Sequence, residues 1–391
     1  MDKDRGMTET TQNAAVVMFS ELVAENGKKI GVATLNSEKS LNALSLPMVE
    51  LLLPQMQQWK ENPDIAMVLL QGAGDKAFCA GGDIRDLYHT MKANPGTFQP
   101  YVTEFFTKEY TLDYLIHTFD KPVLVWGNGI VMGGGLGLMA GASHRVVTAT
   151  SRIAMPEMAI GLYPDVGGSW FLNRMPAGCG LFLGLTGASI NAADAKFIDL
   201  ADFFIPHDKR QRVLDALLSI RWGNTVVLNH QKLSDLLMSI ETQTLNQQPA
   251  SQIRLHQAPI TALANTPDLP AAMAAILAMP NEDSWLGKAK ASLKYGSPIT
   301  AHIVYRLLQL GQSKILADSF RLELGLSVQC GKLGEFSEGV RALLIDKDQQ
   351  PRWLYADVAS VPETVIDELF SSPWPASEHP LATLGRIYRQ Q

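Results

Sequence analysis

The hydrophobic pattern of the chain changes character partway along. Up to about residue 205, short apolar runs at residues 30–35, 67–71, 122–126, 145–148 and 203–205 alternate with helix-like stretches such as residues 46–60. That alternation predicts α/β layering, with strands gathered in a sheet and helices packed on it. Beyond about residue 207 strand signals nearly vanish. There Ser297 ahead of Pro298 opens a helix, a capping residue before proline, and Ile303, Leu307 and Leu310 follow at helical spacing. The predicted organisation is an α/β part over residues 15–206 and a mainly α-helical part over residues 207–391. Residues 246–251 are the best candidate for an exposed connection, and no fixed-period repeat or low-complexity tract is present.

One stretch has membrane length. Residues 122–142 hold no charged side chain, and a transmembrane helix needs ~20 apolar residues. Seven of these positions are glycine, however, and Pro122 and Asn128 weaken the stretch further. It reads as a buried strand entering a Gly-rich turn, with no membrane partner.

With 46% apolar and 18% charged residues over 391 positions, enough apolar surface can be buried to rule against disorder. The formal charge of −6, from 33 Lys and Arg against 39 Asp and Glu, argues against a nucleic acid or an anionic membrane as partner. A local basic pocket stays compatible with it. Cys79, Cys179 and Cys330 are too far apart to suggest a disulfide framework, which fits a reducing compartment. The first fifteen residues mix acids, bases, Thr and Gln, with neither an apolar core nor an Arg-rich, acid-poor composition; a cytoplasmic setting is expected.

Three segments could carry chemistry. In Cys79-Ala-Gly-Gly-Asp-Ile84, adjacent glycines let backbone N–H groups approach a ligand, where two converging donors can hold an oxyanion; read alone, the segment is more simply a tight turn. In the second, a strand-like run enters Gly127-Asn-Gly-Ile-Val-Met-Gly-Gly-Gly-Leu-Gly137. A dinucleotide fingerprint is narrowly missed there, because Gly135, Gly137 and Gly141 give GxGxxxG and Glu157 follows Met-Pro instead of ending a strand. The third, residues 155–168, sets Glu157 and Asp165 eight residues apart in an otherwise almost wholly apolar run. Buried carboxyls there would have raised proton affinity suited to acid/base work, or would be satisfied structural acids. Nucleophile-elbow, phosphate-loop and paired-ligand metal motifs are absent, and the eight histidines are scattered.

Taken in order, CAGGDI, the run at 122–126 leading into MGGGLGL, and MPEMAIGLYPDVGG resemble the crotonase (enoyl-CoA hydratase/isomerase) superfamily. The closest likeness is to its 3-hydroxyisobutyryl-CoA hydrolase branch, through FFTKEY at 105–110, residues 154–168, and FSEGVRALLIDKD at 336–348. The resemblance spans residues 15–355 and implies an α/β, crotonase-like β-β-α spiral core with a mainly α-helical C-terminal region. It also implies an acyl-CoA thioester substrate, so that coenzyme A enters as part of the substrate and no separate cofactor is required.

On this resemblance the backbone N–H groups of Gly82 and Gly134 form an oxyanion hole, Glu157 and Asp165 are catalytic, and Glu109 contacts the acyl group. Asp83 and Ile84, beside Gly82, fall in the substrate-binding segment. Arg85 and Lys347 are candidates for the CoA phosphates, each equally readable as a solvated surface charge. Hydratases of the superfamily normally carry a second glutamate just after the glycine cluster. The corresponding position here is Gly137, which favours hydrolysis of a short 3-hydroxyacyl-CoA over hydration. The competing readings are a hydratase or isomerase, a non-catalytic acyl-CoA binder, and a Rossmann dehydrogenase. Monomer, trimer and hexamer all stay open.

Overall fold

The computed structural model describes residues 15–280 and 283–385. All but one of the first fifteen residues, on which the reading of a leader rests, lie outside them. Among the described residues nine strands occur: β1 (Val17–Val23), β2 (Lys29–Leu35), β3 (Ile65–Gly72), β4 (Ala77–Cys79), β5 (Val123–Gly127), β6 (Ile130–Met132), β7 (His144–Val147), β8 (Arg152–Ala154) and β9 (Phe203–Phe204). Six form one sheet in the order β1-β2-β3-β5-β7-β9, and three form a second in the order β4-β6-β8. Apart from the antiparallel β1–β2 pair, the named strand pairs are parallel.

The topology is a spiral. Three times the chain lays a strand in the large sheet, turns, lays a three-residue strand in the small sheet, and leaves through helical segments: β3 then β4, β5 then β6, β7 then β8. This is the β-β-α spiral expected. The apolar runs at 67–71, 122–126 and 145–148 fall on β3, β5 and β7, three of the four inner strands of the large sheet, buried on both faces as parallel strands are. On β3, Val68 and Leu70 face the main core while Met67 and Leu69 face a second core. That outer face is covered by the helices Arg210–Ser219 and Val226–Thr242 through Val213, Leu217, Leu233 and Leu237. The strands of the small sheet are too short to show alternation, so the apolar pattern did not reveal them.

The helix expected at 46–60 runs Leu46–Glu61; the Ser45 hydroxyl accepts from the Met48 N–H at its start, and Met48, Leu52, Met56 and Trp59 are buried. The Ser297-Pro298 signal opens Pro298–Gly311 as expected, the Ser297 side chain accepting from the Thr300 N–H. Ile303 and Leu307 are buried, but Leu310 is 40% exposed and does not extend the apolar face. The stretch at 122–142 divides into β5, β6 and the short helix Gly134–Ala140; among the described residues no helix is long and apolar enough to cross a membrane.

Candidate active site

Both glycine motifs follow a strand of the small sheet, and the parallel pairing of β4 with β6 brings the two corners side by side. After β4 the chain turns through Gly81 at φ +109°; the Leu44 N–H bonds to the Gly81 carbonyl (2.7 Å) and the Asp83 N–H to the Leu44 carbonyl (2.8 Å). After β6 it turns through Gly133 at φ +47°, backbone that a side chain rarely adopts, before the helix Gly134–Ala140. A Cβ on Gly134 would lie 3.5 Å from the Gly82 nitrogen. The Gly82 and Gly134 N–H groups have no backbone acceptor among the described residues.

Three acids converge on these corners. Glu109 comes from the helix Pro100–His117, Glu157 opens the turn Glu157–Ile160 after β8, and Asp165 follows shortly after. With Gly82, Ile84 and Gly134 they line one cavity of about 190 Å³, whose apolar walls include Phe105, Phe106, Leu343 and Leu344. A Cβ on Gly133 would lie 2.7 Å from Glu157 Oε1, and one on Gly134 would collide with Glu109 Oε1. The glycines therefore leave space that the carboxyls face.

The electrostatics follow from burial. Removal from water pushes Glu109 and Glu157 well above the usual carboxylate range, and the neighbouring Asp165 pushes both further. Asp165 is pushed up to about 6 by burial, against the pull of a 2.6 Å hydrogen bond donated by the Tyr110 hydroxyl to its Oδ2. Tyr110 and Tyr163 both meet the Ser327 hydroxyl at 2.7 Å, and Tyr163 donates to the Glu323 carbonyl. Asp165 is thus oriented by a hydroxyl chain reaching into the helix Leu316–Leu333.

The turn after Asp165 is itself constrained. Val166 sits at φ +49°, strained for a β-branched residue, and Gly167 at φ +90°. The Glu323 carboxylate accepts from the Gly167 N–H (2.8 Å) and the Ser169 N–H (2.9 Å), holding this turn, while burial pushes its own pKa up to about 8. At Gly137 a Cβ would lie 2.6 Å from Val166 Cβ and 3.1 Å from Asp113 Oδ1. A glutamate has no room there.

Of the residues singled out in the sequence, Gly82, Ile84, Glu109, Gly134, Glu157 and Asp165 share the cavity. Asp83 is half-buried beside it, and its side chain accepts weakly from the Arg85 N–H (3.5 Å). Arg85 and Lys347 are exposed and outside the cavity lining, each close in sequence to a lining residue, Ile84 and Leu344. Tyr110, Ser327 and Glu323, which hold Asp165 and its turn, carry no chemical signal in the sequence. Tyr110 adjoins Glu109 in the FFTKEY motif, but Ser327 and Glu323 lie too far along the chain for local pattern to find them.

A buried carboxyl set facing two glycine corners on a β-β-α spiral suits chemistry at an acyl carbonyl. Residues 30–370 match the family model described as enoyl-CoA hydratase/isomerase, and the chain belongs to that family, the crotonase superfamily of acyl-CoA enzymes. Among its relatives are mitochondrial 3-hydroxyisobutyryl-CoA hydrolases from Danio rerio, 35% identical over 90% of this chain and 90% of that one, and from Homo sapiens, 35% identical over 90% and 89%. Two solved structures share the fold: an enoyl-CoA hydratase from Rhodobacter sphaeroides 2.4.1 (TM-score 0.76, 30% identity, 91% of this chain and 97% of that one) and a carnitinyl-CoA dehydratase from Mycobacterium thermoresistibile (0.78, 31%, 90% and 96%).

Proposed function

We propose that this protein hydrolyses a short 3-hydroxyacyl-CoA thioester, 3-hydroxyisobutyryl-CoA or 3-hydroxypropionyl-CoA, to the free hydroxy acid and CoA. The observation that carries this reading is the cavity in which Glu109, Glu157 and Asp165 face the Gly82 and Gly134 corners while the space beside Gly137 is already filled. Addition of water to an enoyl-CoA would use a second glutamate at that position. Hydrolysis does not need one.

In this mechanism the thioester carbonyl oxygen lies between the Gly82 and Gly134 N–H groups, which stabilise the tetrahedral oxyanion; one such donor is worth ~3 kcal/mol. Glu157, whose Oε2 is buried without a partner among the described residues, attacks the carbonyl carbon or removes a proton from the water that does. Asp165, held by Tyr110, positions that water or the substrate hydroxyl, and Glu109 meets the acyl hydroxyl. Arg85 and Lys347, both exposed, are the candidates for contact with the CoA phosphates. A cytoplasmic setting belongs to this reading, whereas the relatives above are mitochondrial, and subcellular fractionation separates the two.

The test is release of free CoA thiol from a panel of short acyl-CoAs by wild type, Glu157→Gln and Asp165→Asn. Rapid release from 3-hydroxyacyl-CoAs, abolished by either substitution, is expected. Hydration of crotonyl-CoA without thiol release would replace this reading with a hydratase, the activity named for one of the solved structures. Retained CoA binding with neither activity would leave an acyl-CoA binder.

A further inference from the structure

Two helices pack with a register that hydrolysis chemistry at the cavity does not explain. On Pro100–His117, Glu109, Asp113 and His117 recur every four residues and so share one face. Each stands against a glycine of the neighbouring segment: Glu109 against Gly134, Asp113 against Gly137 and His117 against Gly141, where a Cβ would lie 2.7 Å from His117 Cδ2. A row of glycines thus makes room for a row of titratable side chains leading away from the cavity.

Their hydrogen bonding is incomplete. Asp113 is fully buried and, among the described residues, neither of its oxygens has a partner, and His117 Nε2 is buried without one. His117 as a residue is only half-buried, although its Nε2 is enclosed, so it is the member of the row nearest the surface. Neighbours one helical turn apart have Cβ atoms ~5–6 Å apart, a gap that one water can bridge.

We propose that Glu109, Asp113 and His117, with bridging water, form the path by which a proton leaves the cavity during turnover. The inference rests on the hydrolysis proposed above. When water cleaves a thioester, the C–S bond breaks and a C–O bond forms; one water proton ends on the CoA sulfur, and the other leaves the new carboxylic acid as it ionises. Among the described residues no lysine or arginine lines the cavity to accommodate that charge change. The groups facing Asp113 are Glu109, Asp165 and Glu323, with Cys79 on β4, and burial followed by these carboxylates pushes its pKa well up. His117 is pushed down to about 4 by burial and then by Arg145, so it is neutral between transfers.

The test compares kcat and KM for CoA release from 3-hydroxyisobutyryl-CoA in wild type, Asp113→Asn and His117→Ala, in weak buffer with and without imidazole. Loss of a relay group lowers kcat by ~10-fold with KM nearly unchanged. Imidazole restores His117→Ala, where it can enter from the surface, and does not restore the buried Asp113→Asn. A purely structural role would not give this split. If His117→Ala does not fold, His117→Gln, which keeps volume and cannot titrate, takes its place. Folded variants that keep kcat within twofold of wild type would overturn the path alone. A wild type that releases no thiol from any 3-hydroxyacyl-CoA would overturn the path together with the hydrolase reading.

Discussion

The floor and the roof of the cavity both carry acids and treat them in opposite ways. On the floor Glu109, Glu157 and Asp165 lie buried with no lysine or arginine among the described lining residues, and burial raises all three. Near the roof Arg341 gathers Glu338, Asp346 and Asp348 at 2.7–2.9 Å and donates to the Gln350 carbonyl as well. Its hydrogen bonds hold Glu338 and Asp348 below the usual carboxylate range. The hub anchors the π-helical turn Arg341–Ile345, which sets Leu343 and Leu344 over the floor. A carboxylate committed to arginine fixes backbone and is chemically idle. A carboxyl buried without a cation destabilises the fold at neutral pH but is poised to exchange protons.

The contrast breaks most sharply at Glu157. Glu157→Gln should lower the rate of thiol release by ~10²- to 10⁴-fold. Its midpoint of thermal unfolding should hold or rise, since a neutral amide replaces a group that ionises only at a cost; a clear fall would show that Glu157 supports the fold. Gly137→Glu asks whether the floor accepts another acid. Collision with Val166 and Asp113 should destabilise the protein by ~2 kcal/mol or more in denaturant titration, with no crotonyl-CoA hydration gained. A folded, hydrating variant would show that room exists after all.

On the roof, Arg341→Met leaves three acids facing one another and should raise KM for the acyl-CoA by ~10-fold while kcat falls less. Equal KM values in steady-state assays would mean that the turn stands without its hub. The pH dependence gives the finest resolution. Burial raises Asp165 from 3.8 to about 6, so it gains a proton as pH falls through 6, and kcat/KM should decline there. For stability the sign is reversed: this group favours the fold most below its unfolded value of 3.8, and that contribution is lost as pH rises through 6. Tyr110→Phe removes the hydrogen bond that favours the carboxylate and should move the acid limb to higher pH. A limb that does not move would assign it to another acid.

Much of the floor was legible along the chain because it is built from local events. Paired glycines after short strands mark two segments of close backbone approach, and Glu157 and Asp165 stand out as two acids in an apolar run; Gly82 and Gly134 were picked out within their segments only by the family likeness. Glu109 needed the family likeness, since one glutamate on a long helix looks like any solvated charge. Arg85 and Lys347 were readable only as basic residues near those motifs, and both lie on the surface.

By itself the sequence determined the α/β alternation, the helical character after residue 207, and the two glycine segments and the acid pair that meet at the cavity, because propensity, period and turn preference act over a few residues. Only the tertiary structure decided that Ser327, 217 residues from Tyr110, belongs to the hydroxyl chain orienting Asp165, and that Glu323 clamps the turn behind it. It also decided that Asp113 and His117 stand against Gly137 and Gly141. Such partners are selected by the shape left between packed elements, and a side chain's neighbours across that space leave no period in its own stretch of chain.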